Sequence, residues 1–168
     1  MPPPTTSAST ATNVSASSPP PRSSPNVAEV CRGYVDALQD TGRRPDPSLV
    51  AEVDAFTIEN GRLGLAHLLE QDYPPSAVSP PAKSSLGAPK EAQARQLDVP
   101  AQLAVCGYTD SPTATIVQPP LTMVSVPARE IGTRATQRLA DLIQGKTIRP
   151  RRTTLPVELI LRDSCGHL

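Results

Sequence analysis

The chain has 168 residues, enough for one domain, and its 16 Lys and Arg balance 16 Asp and Glu. That balance provides no general attraction for phosphate backbones, and no run approaches the ~20 apolar residues of a membrane span. With one Phe, three Tyr and no Trp, any core has to be aliphatic, and 21 prolines limit where regular structure can run. Residues 1–25 are almost entirely Pro, Ser, Thr and Ala. They offer too little apolar surface to offset the entropy of ordering, so a disordered tail is predicted. The tail lacks the basic start and apolar run of a secretory signal, which points to a cytoplasmic protein.

From Asn26 the pattern changes. Asn26 is a suitable helix cap, and Val27, Val30, Tyr34 and Leu38 follow at helical spacing, with Gly42 as a stop. Pro45 to Pro47 predict a turn and Leu49 to Val53 a short strand. Thr57 opens a second helix with an apolar stripe at Leu65, Leu68 and Leu69, ending before Pro74-Pro75. Ala77-Val78 begins a strand that Ser79-Pro80-Pro81 cuts short, because proline cannot donate to a sheet ladder. Leu86 to Leu97 is rich in helix formers, yet Pro89 inside a helix would cost about 3 kcal/mol. A start near Pro89 avoids that cost.

Leu103 to Tyr108 (LAVCGY) reads as a strand buried on both faces, and Pro119 to Val126 as a turn and another strand. Pro127 and Glu130 mark the start of a helix with a stripe at Ile131, Ala135, Leu139, Leu142 and Ile143, closed by Gly145. Leu155 to Leu161 (LPVELIL) is the last predicted strand. Helices and strands alternating at these lengths argue for an α/β fold with a mainly parallel sheet.

The residues in order also carry a resemblance. From Val99 the chain reads VPAQLAVCGYTDSPTATIVQPPLTMVSVPAREIG, then RATQRLADLIQGK and LPVELILRDSCG. This resembles the closing segment of the effector-sensing domain of LacI/GalR-type transcription regulators. There a VP precedes an apolar strand ending G-[FY]-x-D. A PPLT turn follows, then a helix opening with Glu, a hydrophobic residue and Gly, and finally an LP-x-x-L-x-x-R-x-S ending. CRGYVDAL, DPSLV and the Phe56–Leu69 segment resemble the preceding units of the same domain.

The resemblance implies a type I periplasmic-binding-protein-like fold, two α/β lobes around a ligand cleft, of which this chain holds a truncated part. Residues 26–168 correspond to the second lobe, with a crossover helix at 127–144 and a final strand at 155–162. It implies control of transcription: a small effector, of sugar type, closes the cleft and reorients paired DNA-reading headpieces. No helix-turn-helix pattern is present in the chain, so DNA binding is expected only through relatives that carry the headpiece. The crossover helix, without a first lobe to cover it, is expected to drive self-association.

The effector positions depart from the family's pattern. Val30 stands where the family has Arg, three residues before the glycine matched by Gly33. PPAK, ending at Lys83, replaces the family's Asn-Asp strand end and appears one residue short. After Tyr108, where an acid is common, comes Thr109 and then Asp110; these two are the candidate effector-binding residues, and binding is expected to be impaired.

Other readings have less support. A decayed remnant with no independent activity is one alternative. A small α/β enzyme is another, but the chain holds no GxGxxG after a strand, P-loop or G-x-S-x-G. His67 and His167 have no triad partners in sequence, and Asp54 with Asp110 reads as two loop carboxylates. Cys31, Cys106 and Cys165 form no metal-ligand spacing, so neither metal nor cofactor is expected. The basic run Lys146 to Arg152 reads as a solvated connector.

Overall fold

A computed structural model describes residues 10–11, 25–53 and 55–166. The rest of the predicted tail, Asp54 and His167 lie outside the described residues. Among the described residues, five strands form one sheet in sequential order: β1 (Thr10–Ala11), β2 (Ala77–Val78), β3 (Ala104–Tyr108), β4 (Thr122–Ser125) and β5 (Glu158–Ile160). The first four pair in parallel, and β5 returns antiparallel to β4. Four helices accompany them: α1 (Pro25–Asp40), α2 (Ile58–Leu69), α3 (Gly87–Ala94) and α4 (Ala128–Ile143). This is the predicted α/β class with a mostly parallel sheet.

Several details depart from expectation. Thr10–Ala11, inside the segment read as a tail, pair in parallel with Ala77–Val78. Helix α1 already begins at Pro25, so Asn26 lies within it rather than capping it. Leu49 to Val53 do not form a strand. Pro47 at the first position and the Asp46 carboxylate accepting from the Ser48 amide at 2.9 Å set a 3-10 turn over Pro47–Leu49 instead. Val50 alone makes a bridge. Helix α3 starts at Gly87, which places Pro89 in its first turn, where the missing amide costs little.

Local chemistry accounts for the elements that follow the sequence. The Thr57 hydroxyl accepts from the Asn60 amide at 3.1 Å and caps α2. Helix α1 ends in a Schellman pair: the Gly42 amide donates to the Gln39 carbonyl at 2.9 Å and the Arg43 amide to Leu38 at 2.8 Å. Strand β2 stops after two residues, as the prolines at 80 and 81 require.

The core lies between the sheet and helices α2 and α3. Leu65, Leu68, Leu103, Val105 and Leu121 are fully buried, with Ala88, Ala92, Val78 and Met123 filling the spaces between them. Burying each of the larger aliphatics contributes about 1.5–3 kcal/mol. The two helices meet at backbone distance. A Cβ on Gly61 would lie 2.0 Å from the Ser84 carbonyl oxygen, and one on Gly87 would lie 2.1 Å from that of Ile58. Between them the buried Glu91 carboxylate receives Arg62 Nη1 and Arg95 Nε, each at 2.8 Å. The Arg95 and Arg62 contacts hold Glu91 below the usual carboxylate range, against the opposing effect of its burial.

Helix α4 is built differently. It has no buried residue, and Leu139, Leu142 and Ile143 are 58%, 58% and 79% exposed. The following strand adds Val157, Leu159 and Leu161 to the exposed apolar surface. Among the described residues, the apolar stripe predicted for this crossover helix has no core against it.

The close approach at Gly61 yields a prediction. Gly61→Ala should destabilise the fold by about 1–3 kcal/mol or more, since the clash is with backbone and cannot relax by a rotamer change. Urea unfolding measures it, and an unchanged midpoint would show that the helices can separate freely.

Candidate functional site

In open parallel sheets, ligands bind beyond the carboxyl ends of the strands, where loops gather. Here three segments come to that end: Ser79–Lys83 after β2, Thr109–Asp110 after β3, and Val126–Pro127 after β4. Pro81 forms a parallel bridge to Tyr108, so the first two loops are adjacent. Burial first, and Cys31 of α1 second, push the Tyr108 hydroxyl's pKa up. The residues of PPAK, Tyr108 and Thr109 thus belong to one end of the sheet.

Two of these residues hold unusual backbone. Thr109 has φ +71° and Ala82 has φ +46°, values that side chains other than glycine rarely adopt. Such outliers gather at functional sites because surrounding structure has to hold them. For Thr109 the holding group is visible. Its amide and that of Asp110 both donate to the Val124 carbonyl, at 2.9 and 3.2 Å, which turns the chain sharply off β3 and leaves the Thr109 side chain exposed.

Asp110 has a different environment. Its two carboxylate oxygens receive the Arg162 guanidinium end-on, Nη1 at 2.9 Å and Nη2 at 2.8 Å, and both side chains are largely buried. Arg162 Nη1 also donates to the Leu121 carbonyl. The Arg162 contact holds the Asp110 carboxyl below the usual range, outweighing its partial burial. Thr109 and Asp110, paired as site candidates in sequence, therefore differ: one side chain faces solvent and the other is bound within the protein.

Sequence reasoning did not single out Arg162, Thr122 and Ser164. The Thr122 hydroxyl accepts from the Arg162 amide at 2.9 Å and donates to its carbonyl at 3.1 Å. The Ser164 hydroxyl accepts from the Thr122 amide at 2.8 Å and donates to the Val105 carbonyl. The signal lies in the R-x-S ending and the PPLT turn, whose spacing marks the family and also builds one hydrogen-bonded unit.

The remaining candidates stay apart. His67 is exposed near the end of α2, away from the strand-end loops. Among the described residues no group of three or more His, Cys, Asp or Glu is placed to hold a metal, and no helix is long and apolar enough to cross a membrane.

An α/β lobe with loops gathered at its parallel strand ends, closed by an antiparallel return strand, is the half-domain architecture of periplasmic-binding-protein-like sensors. The chain belongs to that family: the model of the periplasmic binding protein-like domain matches residues 12–165, and its relatives are LacI-family transcriptional regulators. The transcriptional repressor CytR of Escherichia coli K12 is 35% identical over 138 residues, covering 82% of this chain and 40% of the relative. The regulator CelR of Thermobifida fusca is 34% identical over 137 residues, covering 81% and 40%. This chain thus spans about 40% of the length of these curated relatives. Among solved structures, a CelR–cellobiose complex aligns with a TM-score of 0.81 at 31% identity, over 92% of this chain and 46% of that one. The E. coli repressor AscG aligns with a TM-score of 0.78 at 29% identity, over 94% and 56%. The matched portion is the sensing domain, without the DNA-binding headpiece.

The ion pair gives a pH prediction. Asp110 has a lowered folded-state pKa, so its contribution is complete above the unfolded value of about 3.9 and is lost as pH falls through the lower folded value. Asp110→Asn should cost about 1.5–3 kcal/mol at neutral pH by leaving the Arg162 guanidinium half-satisfied. It should also flatten the loss of stability below about pH 4. Thermal unfolding across pH measures both effects, and parallel curves for the two proteins would contradict the assignment.

Proposed function

We propose that this chain supplies the effector-facing second lobe of a LacI-type sensor and takes part in transcriptional control through a small, sugar-type effector. The observation that carries this reading is the convergence of the loops after β2 and β3 on one site, with Thr109 held in left-handed backbone and exposed. The CelR structure was obtained with cellobiose, which supports a saccharide as the effector class. Thr109 is the group proposed to touch it. Asp110, engaged by Arg162, is proposed to fix the loop rather than to meet the effector directly. A sensor of this kind needs no catalytic residue.

Binding by this chain is proposed to be weak. Polyol hydroxyls are held by bidentate polar groups, yet Pro80 and Pro81 are buried and Val30 is aliphatic where the family places such groups. The expected result of calorimetry against cellobiose and a panel of mono- and disaccharides is a Kd no tighter than roughly millimolar, about −4 kcal/mol. A micromolar complex, weakened by Thr109→Ala, would keep the sensor reading and overturn the impairment. A micromolar complex indifferent to Thr109 would overturn the placement of the site.

Self-association is the second part of the reading, supported by α4. Ile131, Leu139, Leu142 and Ile143 are exposed on one 16-residue helix, a patch that favours association in water. Replacing Leu139 and Leu142 with Lys should raise the monomer fraction in sedimentation with little change in thermal stability, because neither side chain is buried. Unfolding of the double variant would instead identify α4 as part of the core.

A further inference from the structure

We propose that Cys106 and Cys165 form a reversible intramolecular disulfide that staples the C-terminal turn onto the central strand β3. The register pairs Cys106 of β3 with Thr122 of β4. Paired residues on neighbouring strands lie about 5 Å apart with side chains on the same face, so the Cys106 thiol and the Thr122 hydroxyl are neighbours. That hydroxyl is 3.0 Å from Cys165 Sγ. One threonine side chain therefore touches or adjoins both thiols.

The approach is fixed by the backbone around Cys165. Arg162 is bonded through its amide and carbonyl to Thr122, Ser164 Oγ bridges the Thr122 amide and the Val105 carbonyl, and the Ser164 amide donates to Pro120 at 3.1 Å. Cys165 follows directly in a 3-10 turn that has nowhere to drift. Val105, the residue before Cys106, is itself an anchor of that turn, so both ends of the staple are held by one hydrogen-bonded unit. Both cysteines are thiols and only half-buried, which leaves them open to a small oxidant. Burial first, and the nearby Cys165 second, push the Cys106 thiol up, which makes it the poorer first nucleophile.

The oxidant class is a low-molecular-weight disulfide such as glutathione disulfide. The Cys165 thiolate attacks one of its sulfurs, forming a mixed disulfide and expelling one glutathione thiolate. The Cys106 thiolate then attacks Cys165 Sγ, forming the protein disulfide and expelling the second. Two electrons pass to the small disulfide, and the two cysteine protons end on the two reduced glutathiones. The bond closes a loop over residues 106–165, which contains β4, α4 and β5. It would make covalent an attachment that otherwise rests on Arg162 and Ser164, and so stiffen the edge of the strand-end site through Asp110.

The full chain incubated in glutathione redox buffers, acid-quenched and alkylated, tests this by intact mass and peptide mapping. The expected product has lost two hydrogens, carries no glutathione, yields a Cys106–Cys165 cross-linked peptide and has Cys31 alkylated. Its thermal midpoint should lie above that of the reduced protein and fall back on reduction. Cys31→Ser should leave the product intact, while Cys106→Ser and Cys165→Ser should each abolish it. Mapping of the unmutated chain decides the matter even if a variant folds poorly. Glutathione adducts without the cross-link, a bond to Cys31, or a purely intermolecular disulfide would each overturn the proposal.

Discussion

The Arg162 guanidinium reaches from the segment after β5 to the Asp110 carboxylate beyond β3, and on the way donates to the Leu121 carbonyl just before β4. Three stretches far apart in the chain are thereby fixed at one place. Thr122 and Ser164 complete the arrangement with hydrogen bonds to backbone groups of the same stretches. A charged pair this well buried repays its desolvation only where geometry is good and the remaining donors are satisfied. Here the bidentate contact and the added carbonyl supply both conditions. The left-handed turn at Thr109 sits directly beside this unit, which explains how an uncommon backbone conformation is kept at the end of the central strand.

On the other side of the sheet a second constraint acts through size rather than charge. Gly61 and Gly87 let α2 and the start of α3 touch at their backbones, and this brings Leu65 and Leu68 down onto Val105 and Met123. The Glu91 carboxylate then lies where both Arg62 and Arg95 can reach it. The helix layer and the strand-end unit are thus separate devices joined by β3, one through its core-facing Val105 and the other through the turn that follows Tyr108.

Helix α4 takes part in neither. Its first-turn Glu130 pairs with Arg134 at 2.6 Å and its end is closed at Gly145, so local chemistry is enough to define the helix. Burial is what it lacks. The chain leaves the lobe at Pro127, forms this helix, and re-enters through β5 on the β4 edge. Among the described residues, the apolar side chains of this excursion meet no core.

The sequence by itself determined the local units. Thr57 announced the start of α2, the prolines at 80 and 81 the end of β2, and the apolar run from Leu103 the central strand, because each depends on hydrogen-bonding capacity or hydrophobicity within a few residues. Leu49 to Val53 form no strand because apolar residues alone do not make one: Asp46 and Pro47 commit the backbone to a turn. Tertiary structure decided the roles of the site residues. Thr109 and Asp110 are neighbours in sequence with equal claim to an effector, yet one is exposed and the other is bound by Arg162, 52 residues away. The exposure of Leu139 and Leu142 follows from tertiary structure too, and in the sequence only the resemblance, not the helical pattern, points to it. A helical apolar stripe states that a face can be buried, and only the arrangement of the remaining chain determines whether anything lies against it.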